Sequence, residues 1–120
     1  MMDWPRYRAL ALSLGLPNVT DAVSWGNPNL KAHGKMWAWW SPNEDAPVFK
    51  MSKEEREFLI EVDPETFFVT DHYRPHGLVL VRPDRLDPEW AKARLVQTWR
   101  EMAPKRFLKQ WDVDQAAIST

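Results

Sequence analysis

Lys31, His33, Lys35 and Lys50 stand close in sequence to Trp37, Trp39 and Trp40. Basic groups track phosphates and aromatic faces stack on bases, so this mixture is the chemistry of a nucleic-acid or ligand platform. The same pattern is met by tryptophans packed in a core and lysines that keep a sheet edge soluble. Asp71, His72 and His76 offer metal-ligating groups, with His33 as a third imidazole from elsewhere. An i, i+4 histidine pair needs a helix to hold both rings on one side, and Pro75 and Gly77 forbid that helix. Glu54, Glu55, Glu57 and Glu61 could line a carboxylate surface for hard cations. Lys53 and Arg56 intervene, as they do on an ordinary solvated helix. No serine lies in a nucleophile-elbow context, and the four glycines form no phosphate-cradling loop. We therefore expect no catalytic residue, no metal and no cofactor.

The elements that must position these groups are legible from punctuation and period. Asp3 is a helix N-cap with Pro5 in the first turn, and Tyr7, Leu10, Ala11 and Leu14 follow helical spacing. Gly15 and Pro17 end that helix. Val19 to Trp25 leads into a first strand, and Gly26 to Pro28 is a break no helix survives. Leu30–Ala32, Lys35–Trp40 and Pro47–Met51 read as successive antiparallel strands, with His33-Gly34 as a hairpin turn and Ser41 to Asp45 as a polar one. Ser52 and Glu55 form a capping box for a second helix, on which Phe58, Leu59 and Val62 are expected to be buried. Phe67-Phe68-Val69 is a short apolar run, residues 71–77 a loop, and Leu78 to Val81 the clearest strand. Asp87-Pro88-Glu89 opens a long helix with Ala91, Leu95, Trp99 and Met102 in one stripe. Pro104 breaks it, a short helical turn covers Lys105–Trp111, and a single domain over 1–112 leaves 113–120 as a frayed tail.

Strands and helices do not alternate in this order. That predicts an α+β fold, an antiparallel sheet with helices packed on one face. The other face stays open. Period-2 alternation puts Lys31 and His33 on the outward face of their strand and Lys50 opposite Phe49 and Met51. It pairs Trp37 with Trp39, and Met36, Ala38 and Trp40 on the reverse, so at least one tryptophan borders the open face. With Arg74 from the later loop, the candidate DNA- or ligand-binding set is Lys31, His33, Lys35, Trp37, Trp39, Lys50 and Arg74.

Composition narrows the setting. The chain has 120 residues, a net charge of −1, no cysteine and eight tryptophans. That excludes disulfides, thiolate catalysis and cysteine-based zinc sites, and it disfavours strong non-specific nucleic-acid binding by the whole molecule. Acids outnumber bases between Asn43 and Asp71, and bases outnumber acids between Arg82 and Trp111, so the molecule is expected to be dipolar. No leader-like apolar run and no membrane span stand out, which predicts a cytoplasmic protein.

The run Trp25-Gly26, Pro28, Leu30-Lys31 and Gly34-Lys35-Met36-Trp37-Ala38 resembles the signature of the small bacterial MmcQ/YjbR-like family. Leu12-Ser13-Leu14 with Pro17-Asn18-Val19-Thr20 is similar to that family's opening, Gly15-Leu16 departing from it. Phe49-Lys50-Met51, His72-Tyr73 and Trp99 fall where the family has related residues, while Gly77-Leu78 stands where it often has a tryptophan. The resemblance implies a frataxin-like (CyaY-like) two-layer sandwich. It also implies a comparison with a double-wing DNA-binding domain. The expectation is a small, monomeric, non-enzymatic module for double-stranded DNA. The alternative is a protein- or small-molecule-binding domain that uses the aromatic sheet face without nucleic acid.

Overall fold

Asp3 accepts the Arg6 N–H at 3.0 Å and starts α1 (Trp4–Leu12), which buries Tyr7 and Ala11. The computed structural model describes residues 1–119. Six strands follow the order β1-β2-β3-β4-β6-β5, every neighbouring pair antiparallel. They are β1 (Val19–Ser24), β2 (Asn27–Ala32), β3 (Lys35–Ser41), β4 (Ala46–Lys50), β5 (Phe67–Phe68) and β6 (Leu78–Val81). The helices α2 (Lys53–Val62), α3 (Pro88–Met102) and α4 (Lys105–Ser119) join α1 in a second layer, giving the expected two-layer α+β sandwich. Among the described residues no helix is long and apolar enough to cross a membrane.

Both two-residue hairpin turns run through positive φ. Trp25-Gly26 has φ 49° and 79°, and His33-Gly34 has 54° and 82°. This is the handedness that matches strand twist in tight hairpins. The core between sheet and helices takes Leu30, Trp37, Phe49 and Val79 from the strands, and Tyr7 from α1 with Leu95 and Trp99 from α3 on the other side. A second, smaller core forms on the opposite face, where Ala46, Val48, Leu78 and Leu80 lie under Val69 and Tyr73. The sheet face expected to be open is therefore covered over β4 and β6 by the chain leading through residues 69–77.

Two sequence expectations fail in the helical layer. On α2, Phe58 and Val62 are exposed (63% and 59%), and the buried residue is Arg56 at 3%. Arg56, Leu59 and Ile60 share one side at i, i+3 and i+4, which puts the guanidinium under the 69–77 loop. There it donates to the carbonyls of His76 (2.8 Å), Arg74 (3.1 Å) and Leu78 (3.3 Å). Polar need, rather than apolar content, set the rotation of this helix. Further on, residues 113–119 are helical where a frayed tail was expected, and Thr120 lies outside the described residues. No breaker follows Pro104, and a bidentate Arg100–Asp112 pair at 2.8 and 3.0 Å ties α4 to α3.

Part of the basic C-terminal third is also neutralised. Arg94, 6% exposed, bonds Glu55 at 2.8 Å and Glu101 at 3.0 Å, and Lys92 lies 3.6 Å from Glu89. Partial burial pushes the Glu55 carboxyl up, but the charge and hydrogen bond of Arg94, with bonds from Ser52, outweigh it and hold the group below the usual carboxylate range. A carboxylate held low in the folded state stabilises above its unfolded pKa and loses that contribution as pH falls through the folded one. Urea midpoints measured from neutral pH downward should therefore fall at acid pH, and the fall should be shallower in Arg94→Met.

Candidate functional site

The part of the sheet left uncovered is a cleft of about 780 Å³ over β2, β3 and β4. Asn29, Met36, Trp39 and Lys50 belong to its strands, Trp25 stands at the β1–β2 turn, and Tyr73 comes from the 69–77 loop. Among the described residues no carboxylate lines it. Tyr73 is fixed by a 2.8 Å hydrogen bond between its hydroxyl and Ser41 Oγ, and His72 meets its ring edge-on at 4.7 Å. Gly77 closes that wall. Its carbonyl accepts the Met51 N–H at 3.2 Å, and a Cβ there would sit 2.8 Å from the Met51 carbonyl oxygen.

The seven residues proposed from sequence separate. Trp39 and Lys50 line the cleft. Lys31 joins their side by alternation, between the core residues Leu30 and Ala32. Burial, and then the charge of Lys35, hold the Lys50 ammonium below its usual range. Lys35 is exposed at the hairpin end, paired with Ala32. Arg74 is exposed on the loop, 3.4 Å from Asp71.

Two expectations are corrected. Trp37 does not share a face with Trp39: it is fully buried in the helix-side core, its Nε1 donating to the Leu95 carbonyl at 3.0 Å. The cause is a β-bulge. Leu30 pairs with Ala38 while Lys31 pairs with Met36, so Trp37 is the extra residue and alternation is lost there. His33 does not share the outward face of Lys31 either. It sits in the turn at φ 54°, with its ring 5.0 Å from Trp99 and 5.5 Å from Phe107. Its Nε2 donates to the Trp99 carbonyl at 3.2 Å, and its Nδ1 accepts from Asn18 at 3.3 Å. That places it in the other layer from His72 and His76, and among the described residues no three His, Asp or Glu side chains gather as metal ligands. Of the acidic helix, Glu55 is committed to Arg94 and Glu57 to Arg56.

Sequence reasoning missed Trp25, Asn29 and Tyr73. Only Trp25 had a signal: an aromatic in a two-residue turn has no core within reach. It is 92% exposed. Asn29 is 1% exposed, donates Nδ2 to Ser24 Oγ at 3.0 Å, and leaves Oδ1 with no partner.

The family model described as YjbR matches residues 14–101, a span that holds both hairpins and the whole cleft. The crystal structure of Deinococcus radiodurans protein DR2400, with a domain described as DUF419, is similar in fold. Its TM-score is 0.66 at 17% identity, over 84% of this chain and 78% of that one. No curated protein matches the chain.

Proposed function

The chain belongs to the YjbR family, and from that premise we propose that it is a non-enzymatic DNA-binding module, working as a monomer in the cytoplasm. The lysines of its uncovered sheet face take the phosphates. The observation that carries this reading is the make-up of that face: Lys50 and the rings of Trp25, Trp39 and Tyr73 line the cleft, Lys31 shares its side of β2 by alternation, and no carboxylate is among the described lining residues. Lys35 adds to the same field, as its effect on Lys50 indicates. Phosphate contacts carry non-specific affinity, and each one contributes about 0.9 to the salt slope on a duplex. With so few lysines and a net charge of −1, binding is expected to be weak and salt-sensitive.

The test is fluorescence anisotropy of a labelled random duplex from low to physiological salt. Lys31→Glu should weaken binding several-fold and lower the slope by about one. Equal affinity in that variant would remove Lys31 from the interface. One observation favours a second reading, a small-molecule site: the cleft volume of about 780 Å³ lies within the usual range for such pockets, about 300–1,000 Å³. Absence of duplex binding even at low salt would turn the search there.

A further inference from the structure

We propose that the cleft receives a single unpaired nucleobase, so that the preferred ligand is DNA with an unpaired nucleotide rather than a perfect duplex; this rests on the DNA-binding reading above. Duplex readers insert a projecting helix or ribbon into a groove. Here the uncovered face is concave, and a concave site takes a group that projects from the ligand.

Trp25 is the first indication. A bulky residue at φ 49° occupies backbone space that ordinarily goes to asparagine or glycine in such a turn. Its ring is 92% exposed, so neither backbone preference nor burial explains a tryptophan there. Strain and exposure combined at the rim of a cleft fit a stacking platform, since any base can pack on an indole face. Trp39 lies on the floor and Tyr73 on the far wall, the latter held by Ser41, so other aromatic surface is already in position.

Asn29 is the second, independent indication. It is buried, its amide N–H₂ is committed to Ser24, and its Oδ1 lacks a donor. A buried acceptor left unmade is costly in the free protein. The amino and imino N–H groups on base edges are donors of the kind it lacks. Lys50 supplies the positive charge for the adjoining phosphate, and no carboxylate among the described lining residues opposes it.

Anisotropy should compare three labelled probes of one sequence: the duplex, the same duplex with one unpaired base, and the single strand. The last two are expected to bind about tenfold tighter than the duplex, the scale of one base stacked on an aromatic ring. Trp25→Ala should abolish that preference while leaving the circular dichroism spectrum unchanged, and Trp25→Phe should restore most of it. Equal binding to all three probes would overturn the cleft proposal and leave the DNA reading standing. A preference that survives in Trp25→Ala would overturn the assignment of Trp25. Binding to none of them would overturn the DNA reading itself and the cleft proposal with it.

Discussion

Arg56→Ala is expected to lower the unfolding free energy by about 3 kcal/mol, because it removes buried charged donors to three backbone carbonyls. The guanidinium is 3% exposed and reaches the carbonyls of Arg74, His76 and Leu78 at 3.1, 2.8 and 3.3 Å. Its one ion-pair partner, Glu57 at 2.9 Å, is itself 57% exposed, so the pair alone accounts for little of this. Charge-assisted bonds to neutral carbonyls are the larger contribution. Arg56→Met separates the two effects, since it keeps the stem's packing and deletes every donor. Urea midpoints should rank parent, then Arg56→Met, then Arg56→Ala. A methionine variant as stable as the parent would show that water serves those carbonyls equally well. The loop that Arg56 holds is also the wall that carries Tyr73, so Arg56 is a positioning residue for the cleft. Arg56→Met should weaken ligand binding even under conditions where the protein is fully folded.

Trp37→Ala is expected to cost about 3–5 kcal/mol, the range for deleting a large buried aromatic. The side chain is fully buried between the sheet and α3, with its indole N–H on the Leu95 carbonyl at 3.0 Å. Typical domains hold only about 5–15 kcal/mol in total, so this variant should be markedly less stable and should expose apolar surface. Trp37→Phe should recover the larger part and still lose the hydrogen bond. The opposite pattern is expected for Trp25→Ala, which should leave thermal unfolding unchanged. A ligand-binding role for Trp37 would predict unchanged stability and lost binding, so paired thermal and binding measurements on the two variants separate core from cleft.

Most of the architecture is legible in the residues because local physics sets it. Asp3, Ser52 and Asp87 cap helices as their side chains dictate. Gly26 and Gly34 permit tight hairpin turns, and the Ala91, Leu95, Trp99 stripe packs where its spacing requires. The face assignments failed where alternation was interrupted. A bulge at Trp37 turns one tryptophan inward, and a turn at His33 directs an imidazole to α3 and α4. Gly34 announces the turn, but neither the bulge nor the direction of the His33 ring is encoded by residue types within the strand, because both depend on how the neighbouring strand and the helical layer fit. The face of α2 was misjudged for a related reason: hydrophobicity favours burying Phe58 and Val62, whereas the carbonyls of Arg74 and His76, nearly twenty residues away, favour burying Arg56.

Sequence alone was sufficient for the element order, the antiparallel sheet with one helical layer, the absence of thiol chemistry and the family. These follow from period, caps, turns and composition, which act over a few residues at a time. Tertiary structure was needed to divide the eight tryptophans between core and surface, to pair Arg85, Lys92, Arg94 and Arg100 with acids, and to fold residues 69–77 over part of the second sheet face. It also brought Trp25, Asn29, Trp39, Lys50 and Tyr73 to one cleft. Those residues come from one turn, three strands and a loop, and only long-range pairing and the satisfaction of buried polar groups could assemble them.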